Sequence, residues 1–376
     1  MAKLGDIASV VTKGTTPTSL GFAFENEGIN FIKIESIEED GSFIKEKFGH
    51  ISEECDRALS RSRLQENDIL FSIAGAIGRT AIVTSEILPA NTNQALAIIR
   101  IPKGKIDYKF LVYALHSGAI VDQFEKKKQG VAQLNISLAD VRSFQIPDIS
   151  IQEQSRIVAI LGKVDRLISL RKKQLQKLDD LVKSRFVEMF GDSVANPKGW
   201  KKEALSKNAT LLNGRAYKQD ELLDKGKYPV LRVGNFFSNR GWYYSDLELE
   251  DDKYCDNGDL LYAWSASFGP RIWNGGKVIY HYHIWKVLVG DSYNKLFLCK
   301  LLEHATESLM GETHGIAMMH LTKSGMEQTE FIVPPITLQK QFAEFYTQVN
   351  ESKLTVHQGL DKLELLKQSL MQKYFG

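Results

Sequence analysis

Apolar residues in the stretch 151–191 recur at alternating steps of three and four. Ile157, Leu161, Val164, Ile168, Leu175, Leu178 and Val182 fall on one seam, with charged and amide side chains between them. That spacing predicts one long helix carrying a coiled-coil stripe. At about 1.5 Å of rise per residue it would run roughly 60 Å. This is more than one small domain needs to cover its core, so an equally long partner is expected against it. The stretch 336–376 supplies one. Its start, Pro334-Pro-Ile-Thr-Leu-Gln-Lys-Gln341, reads position for position against Pro147-Asp-Ile-Ser-Ile-Gln-Glu-Gln154. Its exit, with Leu363, Leu366, Ser369, Phe375 and Gly376, keeps the spacing of Leu178, Leu181, Ser184, Phe190 and Gly191. The second copy departs at Pro335 and Lys340 and places Ser352 and Gly359 on its seam, where looser packing is expected.

Outside these stretches the pattern shortens. Residues 1–150 carry β-rich runs at 29–34, 68–73, 79–84 and 95–101, punctuated by Gly, Asn, Ser and Pro. A helix is predicted over 108–124, burying Leu111, Val112, Leu115, Ile120 and Val121. A strand-like 144–147 follows. Residues 192–335 repeat the plan: strand at 227–233, residues 259–269 aligning without a gap on 68–78, strand at 277–289 and helix at 295–309. Residues 315–322 stand where 130–137 stood, and 331–334 stand for 144–147. The expected fold is of the α+β class. Two similar mixed α/β globular domains, 1–150 and 192–335, are separated by long helices 151–191 and 336–376, antiparallel in a coiled coil and related by a pseudo-twofold internal repeat. The loops diverge more than the framework, since Lys13-Gly-Thr-Thr-Pro17 has no obvious counterpart to Asn213-Gly-Arg-Ala-Tyr-Lys218. Shared cores with different loops suggest two related but distinct recognition surfaces, and a long extended ligand such as duplex DNA fits that plan best.

Composition narrows the setting. With 376 residues, 43% of them hydrophobic, the chain is long enough for two or three domains. Residues 1–14 lack a secretory apolar region, and no run approaches the roughly 18 apolar residues a membrane span needs. Cys55, Cys255 and Cys299 are odd in number and form no CxxC pattern, so a reducing cytoplasm is expected and a zinc ribbon is not. A net charge of +2 excludes any argument from global basicity. If the partner is nucleic acid, positive charge must be sorted onto one face.

Two variable regions alternate with two similar long helices, each introduced by Pro-x-x-x-x-Gln-x-Gln and closed by Leu-x-x-Leu-x-x-Ser with a final Phe-Gly. In this the chain resembles, over its whole length, the specificity subunit of type I restriction-modification enzymes. The resemblance implies two target recognition domains, each binding one half of a bipartite double-stranded DNA site. It implies helices that set the gap and dock two methyltransferase subunits, with restriction subunits joining that core in DNA methylation and host defence. No cofactor is implied in this chain; S-adenosylmethionine, ATP and Mg would sit on the partner subunits. Nor is a membrane partner implied. A rival reading remains open: a non-enzymatic scaffold or adaptor with two protein-binding domains joined by the coiled coil.

DNA reading needs Lys, Arg and exposed N–H groups for phosphates, Arg or Lys for guanine, and Asn or Gln for adenine. In the first domain the candidates are Lys13, Thr15, Thr16, Arg61, Arg63, Arg79, Asn91, Asn93, Gln94, Gln133 and Asn135. In the second they are Arg215, Tyr217, Lys218, Arg232, Asn235, Trp264, Arg271, His281, His283 and His314. Each also reads as a solvated loop group or turn former. The basic runs 126–128 and 171–173 suit phosphates or are simply wet faces, and the acidic runs 35–40 and 246–252 suit faces turned away from DNA. His281 and His283, two apart on an expected strand, share a side but lack a third ligand, so no metal is expected. Trp264, Trp273, Trp285, Tyr280 and Tyr282 read as stacking groups or as an aromatic core. Phe186, Met189, Phe190, Leu370 and Phe375 read either as a docking surface or as packing against the adjacent domains. Catalysis is argued against. There is no GxxxxGK[ST] loop, no GxGxxG after a strand, and no [DNS]PP[YFW] tetrapeptide, since Val333-Pro-Pro-Ile336 lacks both ends of that motif.

Overall fold

The computed structural model describes residues 1–126, 135–238, 240–265, 267–312 and 322–376. Both long helices are present, Ile151–Phe190 and Ile336–Phe375, each of 40 residues. The chain divides into two compact units, Met1–Arg171 with Gly359–Gly376 and Lys172–Gln358, so each unit takes part of both helices.

In the first unit a four-stranded antiparallel sheet runs in the order Val10–Lys13, Leu96–Arg100, Ile69–Ser72, Thr80–Ile82. A smaller sheet runs Gly49–Ile51, Ile29–Ile32, Ala90–Thr92, its last pair parallel. The main core lies between the first sheet, the helix Tyr108–Leu115 and the long helices, with Phe71, Phe110, Phe144, Ile157, Leu161 and Phe375 in one buried cluster. The predicted single helix 108–124 is two, Tyr108–Leu115 and Gly118–Glu125. The break falls at Ser117, whose hydroxyl donates to Ala114 O at 2.7 Å and caps the second helix by accepting from Ile120 N.

The second unit has the same build. Its four-stranded sheet runs Ala209–Asn213, Ile284–Val289, Leu260–Ser265, Ser267–Ile272. Its smaller sheet runs Tyr243–Ser245, Tyr228–Leu231, Val278–Tyr280, Tyr254–Cys255, again with a parallel central pair. The expected strand 277–289 is therefore two strands in different sheets, Val278–Tyr280 and Ile284–Val289, joined by a turn at 281–283. The helix Lys295–Glu312 lies where Tyr108–Leu115 lies in the first unit. Phe186, Phe190, Phe297 and Phe342 form an aromatic cluster, with ring centroids 4.6 Å apart for Phe190–Phe297 and 5.5 Å for Phe186–Phe342.

Within each unit the helix segments run antiparallel. Asp165 pairs with Lys367 at 2.7 Å in the first, and Asp179 with Lys353 at 2.5 Å in the second. The seam of the terminal helix passes through Phe342, Val349, Val356 and Leu360, all buried, while Ser352 is exposed and off the seam. Phe186, Phe190 and Phe375 are 3%, 0% and 5% exposed, and Met189 and Leu370 pack against the same cores. These five belong to the packing of the domains rather than to a docking face.

The starts of the two helices correspond in a register two residues away from the one their prolines suggest. Gln154 Oε1 accepts from Asp107 N at 2.8 Å while its Nε2 donates to Ile149 O at 2.9 Å. Gln339 Oε1 accepts from Asn294 N at 2.8 Å while its Nε2 donates to Pro334 O at 2.7 Å and Ser292 O at 2.9 Å. Asp107 and Asn294 each begin a helix of the globular part, Asp107 as its N-cap and Asn294 through an Oδ1 that accepts from Phe297 N. The equivalent pair is thus Gln154 and Gln339, which agrees with the match of the helix exits. Gln152 and Gln341, the partners suggested by the prolines, are exposed. Replacing Gln154 or Gln339 by Ala strands a buried amide N–H and carbonyl, and each change is expected to lower unfolding free energy by about 1–3 kcal/mol. Gln152→Ala and Gln341→Ala should change it little. Urea unfolding of the four variants checks this.

Candidate nucleic-acid interface

Thr16, Asn93 and Gln94 in the first unit, and Arg215, Tyr217 and His281 in the second, gather where the two sheets of each unit meet. In the first unit Ile32 pairs with Thr92 at the ends of the parallel strands; in the second Leu231 pairs with Tyr280. In each case the loop after the first sheet strand crosses this point on a glycine. A Cβ on Gly14 would lie 1.8 Å from Thr92 O, and one on Gly214 2.4 Å from Tyr280 O and His281 O. Only glycine permits so close a backbone approach. Lys13-Gly14 and Asn213-Gly214 are therefore counterparts, although their sequences give little sign of it. The residues that follow the parallel strands, Asn93 and Gln94 in one unit and His281 to His283 in the other, occupy equivalent ground.

In the first unit Thr16 Oγ1 and Gln94 Oε1 are hydrogen-bonded to each other, joining the two loops. Lys13 is exposed and Thr15 half-buried. Asn93 Oδ1 accepts from Ala95 N at 3.1 Å and shapes the turn. Asn91 is a structural residue. It is fully buried, accepts from Ser62 Oγ at 2.6 Å and donates to Asp56 Oδ1 at 3.1 Å and Leu59 O at 3.2 Å. Arg63 is paired with Asp56 at 2.6 Å, and Arg79 donates to Ile37 O at 2.7 Å, so both guanidinium groups serve the fold. Arg61 is exposed, and Asn135 is exposed beside Ala74, with which it forms a bridge. Gln133 lies outside the described residues, as does His314 of the second domain, and so do most of the stretches 126–130 and 315–322.

In the second unit Arg215 is held by two hydrogen bonds to Glu221, at 2.7 and 2.8 Å, which raise the guanidinium and draw the carboxyl down to about 2. Arg271 donates to Phe236 O. Tyr217 stacks on His281 with ring centroids 6.3 Å apart, and Lys218 is exposed. Trp273, Trp285 and Tyr280 are core, at 6%, 1% and 0% exposure. Trp264 and Tyr282 are at the surface. Trp264 stacks on Trp285 at 5.6 Å and donates its indole N–H to Tyr282 O at 2.8 Å. Trp273, Trp285 and Tyr280 thus take the aromatic-core role, and half-buried Trp264 packs against the core around Trp285.

His281 and His283 lie on the turn rather than on a strand, and their rings are still 4.8 Å apart. Burial, the second imidazole and the Arg232 guanidinium hold His281 down to about 4; burial and Arg232 also lower His283. Both are neutral near pH 7. Among the described residues no group of three His, Cys, Asp or Glu is placed to hold a metal. The histidines open onto a cavity of about 670 Å³ shared with Arg232, Asn235, Arg240, Trp242, Tyr243 and Ser265. The sequence had not singled out Arg240, Trp242 or Tyr243. The run Asn239-Arg-Gly-Trp-Tyr243, which sets a cation and a glycine beside two aromatics, was the available signal. Arg232 occupies the N-cap position of the helix Val233–Phe237 directly after its strand, with no capping hydrogen bond from its side chain, the place Lys33 holds in the first unit.

One loop platform built twice, with amides and hydroxyls on one copy and cations, imidazoles and aromatics on the other, defines a protein with two related recognition surfaces. The chain belongs to the type I restriction modification DNA specificity domain family, whose model matches it twice, over residues 1–180 and 197–365. It is 24% identical to a putative type I restriction enzyme MjaX specificity subunit of Methanocaldococcus jannaschii over 98% of this chain and 91% of that one. It is 30% identical to the EcoBI specificity subunit of Escherichia coli over 50% of this chain and 39% of that one. A solved chain from a study of complex assembly and conformational transition of the type I R-M system aligns with TM-score 0.62 at 17% identity, over 100% of this chain and 96% of that one. The type I restriction-modification S subunit of M. genitalium aligns with TM-score 0.55 at 14% identity, over 100% and 95%. At these identities the structural likeness concerns the fold. Among the described residues no helix is long and apolar enough to cross a membrane.

His281 binds its proton more weakly in the folded chain than an unfolded imidazole, near 6.5, does. Acidification from about pH 6.5 toward pH 4 therefore protonates the unfolded state first, and stability should fall through that window. His281→Asn should flatten this slope, as denaturant unfolding at stepped pH would register.

Proposed function

We propose that this chain is the DNA-reading, non-catalytic specificity subunit of a cytoplasmic type I restriction-modification enzyme. Each globular domain reads one half of a bipartite duplex site, and the paired helices set the gap and carry two methyltransferase subunits. Restriction subunits join that core; S-adenosylmethionine, ATP and Mg belong to the partners. The observation that carries the reading is the single scaffold, present twice with matching strand pairing and unlike loops, on a shared helix pair. Polar groups dominate those loops where an adaptor for proteins would more often present aliphatic anchors. Within this reading Lys13, Thr15, Arg61, Asn93, Gln94 and Asn135 of the first domain, with Lys218, Arg232, His281 and His283 of the second, face DNA. Asn91, Arg63, Arg79, Arg215 and Arg271 support them.

Purified with its methyltransferase partner, the chain should bind duplex DNA with an affinity that falls steeply with salt, by roughly 10³ or more between 50 and 200 mM for six or more phosphate contacts. An affinity indifferent to salt in a filter-binding titration would remove the reading. Inserting one heptad into both long helices should lengthen the gap of the preferred site and leave both half-sites as they were. Mapping methylated adenines in cells carrying the variant distinguishes this from a change of half-site.

A further inference from the structure

We propose that the cavity of the second unit takes a guanine edge of the bound duplex and that Arg232 is the residue that reads it; this rests on the DNA-reading function above. Residues 192–335 contain four arginines. Arg215 is engaged by Glu221, and Arg271 by the Phe236 carbonyl. The other two, Arg232 and Arg240, both line the cavity, and among the described residues its lining contains no Asp or Glu. No ion pair of either is found among the described residues, and no carboxylate contributes to the state of the adjoining imidazoles. The site thus offers donors in excess, and the acceptors must come from its ligand.

On DNA the acceptors that suit guanidinium are phosphate oxygens and the O6 and N7 of guanine. Adenine instead needs a side-chain amide that donates and accepts together. Among the described residues the amide in the lining is Asn235, and its Nδ2 already donates to Arg240 O at 2.8 Å and Gly241 O at 3.1 Å. Arg232 and Arg240 divide the two remaining tasks by their mounting. Arg232 stands between a strand and the helix whose N-cap position it occupies, with its guanidinium 5.2 Å from the centre of the Tyr243 ring. A planar fork held against an aromatic face on regular structure suits a bidentate base contact. Arg240 sits on the exposed loop after that helix, with its side chain across Gly234, and suits the neighbouring phosphate. Trp242 and Tyr243 give the cavity flat apolar walls. His281 Nδ1 already accepts from His283 N at 3.4 Å, whereas the neutral imidazole of His283 keeps an acceptor nitrogen, which the amino group of the paired cytosine can satisfy.

The test is selection from a library of randomised duplexes, using the full chain together with its methyltransferase subunits, for the unaltered protein, Arg232→Ala and Arg240→Ala. The unaltered protein should enrich a two-part site. Arg232→Ala should lose roughly 5- to 150-fold of discrimination at one G·C pair in a single half-site, with the other half unchanged. Arg240→Ala should weaken all sequences alike and reduce the slope of log affinity on log salt by about one. Thermal melts matching the parent exclude misfolding, and Arg232→Lys should restore part of the preference. If the unaltered protein selects a two-part site and Arg232→Ala changes nothing, weakens every sequence equally, or relaxes an A·T pair, the guanine assignment is overturned and DNA reading stands. If the unaltered protein selects no sequence at all, the function itself fails.

Discussion

Each helix of 40 residues carries an apolar seam that water disfavours, and covering that seam is the constraint from which the rest of the structure follows. Each long helix meets it in two ways at once. One side packs on the antiparallel segment of the other helix, with Val164, Val182, Val349 and Val356 buried. The ends turn large side chains, Ile157 and Leu161 or Phe186 and Phe190, into the core of a globular part. A side chain that belongs to both a coiled coil and a domain core cannot move without disturbing both. Gln154 and Gln339 add direction to that adhesion, because each amide bonds the helix start to the first turn of a second helix.

The two recognition surfaces differ in chemistry while agreeing in backbone. The same strand ends meet, the same glycine lets a loop cross them, and the same position after the strand carries a long cation, Lys33 or Arg232. What changes is the set of groups around that frame. Thr16, Asn93 and Gln94 form a small hydrogen-bonded patch in the first unit. Arg232, His281, His283 and Tyr217 form a cationic and aromatic one in the second. Charge also divides in each case into groups spent on the scaffold and groups left over. A near-neutral chain can therefore present local positive sites without an overall excess.

Periodicity made the long helices, most strands and the duplicated plan legible from residues alone, because burial of a 3.5-residue or two-residue pattern leaves few alternatives. Three misreadings have definite causes. The helix starts were matched through Pro147 and Pro334, but proline restrains only its own neighbourhood, whereas the buried amides of Gln154 and Gln339 set the register. Residues 277–289 looked continuous since Val, Ile, Tyr and Trp recur through the run, and only the crossing of Gly214 against Tyr280 shows why the chain must turn at 281. Asn91, Arg63 and Arg215 looked like readers because residue type does not reveal partners; Asp56 and Glu221 had to be brought beside them by the fold. Arg240, Trp242 and Tyr243 went unnoticed for the converse reason, that a cavity is a property of three-dimensional arrangement.

The first unit is assembled from residues on both sides of the second, since Phe375 fills the core built by Phe110, Ile157 and Leu161. During synthesis its own strands and helices emerge first, yet the ribosome must translate all of residues 172–358 before that core can be sealed. The earlier-made module therefore waits with an open apolar face while the later one, contiguous in the chain, can close. Nascent protein interrupted midway should offer chaperones a specific and long-lived target at that unsealed face.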